Sequence, residues 1–227
     1  MQLKELSERT GVSAASIKFY LREGLLPAGR TIHATRAEYS GHHVSRLELI
    51  QALRRVVGLN IAQIGSLLRM ADGGAPRLEL LAAIQRTVLG LDEVGTEYGD
   101  LRTPAGDAVV HFRNWPDVPS DARNALNAQL ARMESLGVPV TTELLDAYSQ
   151  AVDAIAAVNI SATTAPEDVN QLIMTAAVGM HLHGQLVLKL LALAHASHAI
   201  RRYEKGTETA MLPHPKVRKH RVKTRKS

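Results

Sequence analysis

Hydrophobic positions at the start of the chain recur at the three- and four-residue spacing of helices. They form one helical face before a turn at Gly11 and one after it. The first face contains Leu3 and Leu6, and the second contains Val12 and Ile17. Ser13 is a good N-cap for the second helix, because its hydroxyl can accept a hydrogen bond from an unpaired amide. We expect that helix to end at Gly24. Two helices joined by a short turn containing glycine are the helix-turn-helix pattern.

The pattern changes between residues 28 and 40. The β-branched and aromatic side chains that favour strands are Thr31, Ile32, Thr35 and Tyr39, and turn-forming residues lie among them. This predicts a small β-hairpin, a wing, directly after the second helix. Helical spacing then returns in two further helices, which we expect Ser40 and Asn60 to cap. Residues 1–72 therefore form a predicted domain of short helices around one hairpin.

A longer helix is predicted from about residue 76 to residue 101. Its apolar stripe is typical of a short coiled coil and consists of Leu78, Leu81, Ile84, Val88, Leu91, Val94, Tyr98 and Leu101. Gly90, Gly95 and Gly99 weaken the helix, since each costs about 1 kcal/mol relative to alanine. We expect residues 73–102 to pair two copies of the chain. The alternative is a helix packed inside its own domain.

Residues 103–119 contain several prolines and form the best domain boundary, with a short strand expected at 109–112. Helical patterns resume at 120–136 and 142–158, and a capping-box sequence at 164–167 opens a last helix that we expect to reach Glu204. The expected fold class is therefore mainly α. A winged helix-turn-helix head (1–72) precedes a dimerisation helix (73–102), an all-α domain (103–205) and a disordered basic tail (206–227).

Charge is distributed unevenly along the 227 residues. Lys and Arg number 9 against 5 Asp and Glu in residues 1–58, 11 against 17 in residues 59–215, and 7 against 0 in residues 216–227. A basic head, an acidic body and a very basic tail indicate a polyanion bound at both ends. Ordinary surface variation and a solvated tail are the alternative.

Composition excludes several classes of protein. With 45% hydrophobic and 22% charged residues, the chain is not disordered from end to end. It contains no cysteine, so disulfides and thiolate metal sites are excluded.

The start has no apolar run typical of a secretory signal. The longest apolar stretch, residues 172–196, is interrupted by histidine, glycine and lysine, so we expect a buried helix and a soluble, cytoplasmic protein.

Three strings in the head carry a specific resemblance. Residues 6–13 read LSERTGVS, residues 18–27 read KFYLREGLLP, and residues 36–40 read RAEYS. Together they resemble the MerR family of winged helix-turn-helix transcriptional regulators. The family usually has Arg before an aromatic pair, where this chain has Lys18. Lysine can still meet a phosphate as a point charge but lacks the bidentate fork.

The resemblance implies a function and a set of partners. It implies a homodimer that binds a palindromic operator in double-stranded DNA, and that distorts the DNA so that RNA polymerase can engage the promoter. Small and hydroxyl side chains at the start of the second helix agree with close approach to bases and phosphates. The expected DNA-binding residues are Ser13, Ala14, Ser16, Lys18, Tyr20, Arg22, Arg30, Arg36 and Tyr39. A core aromatic is the alternative for Tyr20, and a solvated charge is the alternative for Arg36.

Residues 103–205 would then receive a small organic effector. An apolar effector pocket is expected to include Phe112, Trp115, Met174, Met180 and Leu186, although the same residues could be plain core. Histidines 181, 183, 195 and 198 are too spread along one helix to share one ion, so we expect no metal and no cofactor. No catalytic motif is present, so we expect no enzyme. The alternative function is an architectural, nucleoid-associated DNA-binding protein without an effector.

Overall fold

A computed structural model describes residues 1–33, 36–91, 102–161 and 168–204 of the chain. The described part is mainly helical, as the sequence predicts, with one small antiparallel sheet. The chain divides into a first unit, Met1–Gly184, and a second unit, Gln185–Ser227.

The head contains the predicted helix-turn-helix and wing. Its elements in chain order are α1 (Leu3–Thr10), α2 (Ala14–Arg22), β1 (Arg30–His33), β2 (Arg36–Glu38), α3 (Gly41–Ala52) and α4 (Ile61–Asp72). Gly11 ends α1 in the left-handed region at φ 66°, where glycine carries no steric penalty. The expected caps are present: the Ser13 hydroxyl accepts from the Ser16 amide, and Asn60 forms a capping box with Gln63.

The wing is an antiparallel pair in which Arg30 lies opposite Glu38. A β-carbon added at Gly29 would lie 2.8 Å from the Glu38 carbonyl oxygen and 3.0 Å from the Tyr39 ring. Only glycine therefore lets the chain enter the first strand this close to the second. The tip of the wing, residues 34 and 35, lies outside the described residues.

The helix after the head is shorter than the predicted helix of residues 76–101. Helix α5 runs Arg77–Leu89 and ends at Gly90, whose φ is 62°. The physical reason is the left-handed conformation of Gly90, which terminates a helix. Val94, Tyr98 and Leu101, all expected in the apolar stripe, lie outside the described residues.

The remaining stripe residues do not share one free face. Leu78 is 80% exposed, but Ile84 is completely buried, and Leu81 and Val88 pack against the core of their own chain. The structure thus corrects the expectation for Ile84, whose side chain has no surface left for a second copy. The stripe has helical spacing, but part of it belongs to the hydrophobic core of its own chain. A helix packed inside its own domain was the alternative interpretation of this stripe.

Four helices follow in the described residues from 102 onward: α6 (Pro104–Arg113), α7 (Asp121–Ser135), α8 (Thr142–Ser161) and α9 (Val169–Tyr203). The strand expected at 109–112 is wrong, since these residues lie inside α6. Thr103 caps this helix by accepting from the Gly106 amide, and Pro104 occupies its first turn. Proline is well suited to that position. Pro104, which was expected in the domain boundary, therefore begins a helix. The capping sequence expected at 164–167 lies outside the described residues.

The described residues of the first unit form two hydrophobic clusters. The larger cluster joins the head to α5 and to the first turns of α9, where Leu172, Ile173, Ala176 and Ala177 are buried. The smaller cluster centres on Val109, Leu130 and Leu145, which come from α6, α7 and α8. The first turns of α9 are therefore part of the core that supports the helix-turn-helix.

Helix α9 is long and apolar enough, by length and composition, to cross a membrane. Its two parts differ in environment. Residues 172–177 supply buried side chains to the first unit, whereas most of the large apolar side chains from residue 186 onward are about half exposed or more.

Candidate nucleic-acid interface

Helix α2 presents a face of small and basic side chains. Ser13, Ala15, Lys18 and Arg22 are exposed, and Ala14 and Ser16 are half-buried. Ile17, on the opposite side, is completely buried and holds the helix on the core. The exposed face carries two positive charges and no bulky residue before Lys18, so a base edge or phosphate can approach the backbone closely.

The first turn of α2 is arranged to receive an anion. The Ser13 hydroxyl accepts from the Ser16 amide at 3.1 Å and lies 2.9 Å from the Ser16 hydroxyl. The other amides of a first helical turn have no partner within the helix. Together with the helix dipole, such amides favour a phosphate group.

A depression of about 440 Å³ lies beside this turn. It is lined by residues from three elements, namely Gly11, Val12, Ser13, Ser16, Tyr20, Gln51, Arg54 and Arg55. Arg54 and Arg55 are both exposed, and no acidic residue lines the depression. Two guanidinium groups and a helix N-terminus thus face the same space.

Tyr20 contributes to this site from the hydrophobic core and is not itself an exposed contact. Its side chain is 4% exposed and belongs to the core, which was the alternative to a direct DNA contact. Its hydroxyl accepts a hydrogen bond from Nη1 of Arg54 at 2.9 Å. The tyrosine therefore fixes the position of an exposed arginine.

Arg54 and Arg55 were not among the residues expected from the sequence. They lie in a π-helical turn, Leu53–Val57, that continues α3 and ends at Gly58. A π turn carries an extra residue and is frequent at functional sites. The available sequence signal was the pair of adjacent arginines at the C-terminal end of the predicted third helix, three residues before Gly58.

Two of the other expected basic residues, Arg22 and Arg30, have partners in the protein. Arg22 lies over the Phe19 ring at 5.3 Å from its centroid, which restrains the guanidinium group. Arg30 pairs with Glu38 across the wing at 2.6 Å. Because this ion pair is exposed, Arg30 can exchange Glu38 for a DNA phosphate at little cost in free energy. Arg36 lies in β2, and its side chain is outside the described part.

Tyr39 is buried at the exit of the wing and does not reach the surface. Its ring meets His43 edge-on, with centroids 5.2 Å apart. Nδ1 of His43 accepts from the Ser40 amide at 3.0 Å, which completes the capping box of α3. Burial lowers the pKa of His43, and the charge of His42 lowers it further, while backbone carbonyls at Ala28 and Pro27 oppose the shift. The neutral histidine thus supports the base of the wing.

The four residues of the first unit that were expected to line an effector pocket do not share one pocket. Phe112 and Trp115 pack against the cluster around Val109, whereas Met174 packs against the head core. Met180 is half-buried and Leu186 is 52% exposed. Trp115 instead donates its indole N–H to Asp153 at 2.7 Å.

The cavity described in this region is polar. About 260 Å³ of space is bordered by Arg102, Asp117, Val118, Pro119, Arg123, Asn124 and Asn127. Arg102 and Arg123 both bond to Asp107 and Asp117. The hydrogen bond from Arg102 lowers the pKa of Asp117, so this carboxylate stays ionised in a paired network. Among the described residues, no group of three or more His, Asp or Glu could hold a metal ion.

Comparison with known proteins agrees with the geometry of the head. Residues 1–71 match the MerR HTH family of regulatory proteins. The whole fold is similar to the crystal structure of a proposed transcriptional regulator from Streptomyces coelicolor A3(2), with 25% identity, a TM-score of 0.60, and coverage of 89% of this chain and 98% of that chain. No curated protein matches the sequence. The head, residues 1–71, is therefore similar to the helix-turn-helix domain of the MerR family.

Proposed function

We propose that this protein is a DNA-binding transcription regulator that binds a palindromic promoter operator as a homodimer. The observation that carries the proposal is the exposed face of α2 beside the depression lined by Arg54 and Arg55, on a head of the MerR type. A helix of the width of α2 fits the major groove, where base edges are read. The arginines and the first turn of α2 would hold a phosphate and fix the helix in register.

Two copies of the head match the two halves of a palindrome. Of the residues expected to pair copies, Leu78 on α5 is exposed, and Leu91, which follows the end of α5, is half-buried. These two side chains are available to a second copy. DNA distortion would then promote engagement of RNA polymerase, as the family resemblance implies.

We further propose that a small organic effector acts through residues 103–204. The first turns of α9 share the core of the head, so a ligand that shifts α9 also shifts the support of α2. Such a ligand must bind two arrangements of this core with different affinity. In this role the protein acts in the cytoplasm, at the nucleoid, and catalyses no reaction.

Footprinting of the purified protein across the DNA upstream of its own gene tests the proposal. We expect one protected region with two-fold symmetry. The variant Lys18→Glu should abolish protection, because it reverses a charge on the exposed face of α2. The matched control Lys4→Glu reverses an exposed charge on α1 and should keep protection. Protection without a preferred sequence would favour the architectural alternative.

A further inference from the structure

The polar cavity in front of α7 has the walls of a site for a small anion. It is bordered by Arg102, by the loop before α7 and by the first two turns of α7. Two guanidinium groups, from Arg102 and Arg123, face it against one carboxylate, from Asp117. Its volume of about 260 Å³ is below the usual range for drug-sized ligands. The excess of positive charge and the small volume together favour a small, negatively charged molecule.

Arg123 forms a fixed wall of this cavity. Its side chain is only 10% exposed and pairs with Asp107 and, through Nε at 3.2 Å, with Asp117. Its Nη1 donates to Oδ1 of the buried Asn127 at 2.9 Å. A β-carbon added at Gly106 would collide with Asn127 Oδ1 and with Arg123 Nη1, so the bare glycine backbone makes room for both side chains. The guanidinium group is therefore held in place before a ligand binds, which lowers the cost of binding.

Two other groups on the cavity wall have hydrogen-bonding capacity left over. Asn124 is half-buried, and its side-chain amide has no hydrogen-bond partner among the described residues. Arg102 is 63% exposed and donates to Asp107 and Asp117 through Nε and Nη2, so its Nη1 has no partner in the described part of the chain. A carboxylate can accept from a guanidinium group and from an amide N–H at the same time.

We propose that this cavity binds a small organic carboxylate, which takes the place of the Asp117 carboxylate on Arg102. The cavity is then the effector site of the proposed function, and in this respect the inference rests on that function. Asp117 can leave, because its side chain is 36% exposed and it lies in the irregular loop 115–120. One carboxylate exchanges for another, so neither guanidinium group is left unpaired. The single charge of the exchange, and the apolar wall formed by Val118 and Pro119, favour an organic carboxylate over inorganic phosphate.

The loop that carries Asp117 leads directly to a contact with α5. Ser120 caps α7, and the next residue, Asp121, pairs with Arg86 of α5 at 3.2 Å. Ile84, also on α5, is completely buried in the core of the head. A ligand that moves this loop therefore acts on the head through α5, in addition to the contact through α9. By linkage, carboxylate and operator DNA should change each other's affinity by the same factor.

Trp115 fluorescence tests the site without DNA. Trp115 is the single tryptophan of the chain and lies two residues before Asp117. We expect at least one of acetate, isobutyrate and cyclohexanecarboxylate to give a saturable change in the millimolar range, and the matched neutral amides to give none. If no carboxylate binds, if the amides bind equally well, or if inorganic phosphate alone binds, the proposal is overturned.

A matched pair of arginine variants locates the binding. Arg102→Gln should weaken the best carboxylate by at least about tenfold, the loss expected for a charged hydrogen bond. Arg132→Gln changes an exposed arginine of α7 outside the cavity and should bind as wild type does. An equal loss in both variants, or no loss in Arg102→Gln, places the carboxylate elsewhere and contradicts the site.

The variant Asp117→Asn distinguishes a ligand site from an ion network that only holds the helices together. It removes the internal competitor for Arg102, so affinity for the carboxylate should rise severalfold. A purely structural network predicts no such gain. Circular dichroism checks that the variant is folded, and unchanged or lower affinity in the folded variant contradicts the exchange.

Operator footprinting separates the failure of this site from the failure of the proposed function. Carboxylate binding that depends on Arg102, without any footprint, rejects the proposed function and keeps the site. A symmetric footprint by a protein that binds no carboxylate does the reverse. Where both are found, saturating carboxylate should change operator affinity by about fivefold or more, and Arg102→Gln should remove that change. Operator affinity that ignores a bound carboxylate overturns the effector role.

Discussion

Arg54 connects the core of the head to its exposed basic surface. Its guanidinium group donates to the buried Tyr20 hydroxyl and also lines the depression beside α2. The hydrogen bond restrains a long side chain that would otherwise lose considerable rotamer freedom on binding. Arg55, its neighbour, is exposed and lines the same depression.

Replacement of Arg54 should weaken DNA binding without unfolding the head. We expect Arg54→Ala to cost about 1–3 kcal/mol of binding free energy for a charged hydrogen bond to phosphate. Tyr20→Phe should cost less, because the arginine charge remains. Fluorescence anisotropy at several salt concentrations measures both effects, and the salt slope should fall by about 0.9 for Arg54→Ala. The exposed Arg132 on α7 provides the control Arg132→Ala, and an equal loss in both variants would contradict the site.

His43 makes the stability of the head depend on pH. Its folded pKa lies below the usual value of 6.5 because the ring is buried. As pH falls below 6.5, the unfolded state binds a proton that the folded state resists, so the free energy of unfolding should decrease. It should level off once pH is below the folded pKa as well. Protonated His43 also has no Nδ1 lone pair for the Ser40 amide.

The variant His43→Gln isolates this effect. Glutamine is a usual third residue of a capping box, so it can keep the hydrogen bond without titrating. Urea unfolding at pH 7.5 and pH 5.0 should show a larger loss of stability in wild type than in His43→Gln. The same pH dependence in both proteins would assign the acid sensitivity to other groups.

At the scale of elements, local capping chemistry predicted most of the head. Ser13 and Asn60 cap the helices expected of them, and the wing forms between residues 30 and 38. These features depend on neighbours in sequence. Two errors had a different origin. Pro104 was interpreted as a break although it starts α6, and the stripe of α5 was assigned to a partner although Ile84 is buried within the chain.

The sequence did not predict the basic depression, because the depression also depends on long-range packing. It depends on the π turn after α3, which brings Arg54 to Tyr20 across 34 positions of sequence. Periodicity fixes which side of a helix is apolar, but it does not say which element covers it. Long-range packing decides whether a helical stripe meets its own chain or another.

The first turns of α9 should contribute to the stability of the head. Ile173 is completely buried in the core shared with the head helices. Ile173→Ala should lower the free energy of unfolding by about 2–5 kcal/mol, the usual range for a large side chain removed from a core. Leu188→Ala, in an exposed part of the same helix, should change it by less than about 0.5 kcal/mol.

Urea unfolding followed by circular dichroism gives both values, and DNA binding adds a functional readout. If α9 supports α2, Ile173→Ala should also weaken operator affinity at temperatures where the protein remains folded. Normal stability in this variant would show that the head does not depend on α9, and it would remove the route proposed for an effector.

At the scale of the whole molecule, charge is separated along the chain. The head is basic and the region between residues 59 and 215 has 17 acidic against 11 basic residues. An acidic body disfavours non-specific association of that region with DNA and leaves binding to the head and the tail. The tail lies outside the described residues, and its expected role follows from its sequence alone.

Residues 216–227 carry seven basic and no acidic residues. We expect them to bind phosphates without reading bases, because a tethered basic segment adds charge at high effective concentration. Deletion from Lys216 onward should therefore lower affinity for operator and random DNA by similar factors. It should also make the slope of log affinity against log salt shallower by about 0.9 for each phosphate that the tail neutralises. Anisotropy titrations with both DNAs at matched salt measure these quantities. Base preference should persist, since we assign base recognition to α2, and an unchanged salt slope would show that the tail does not bind DNA.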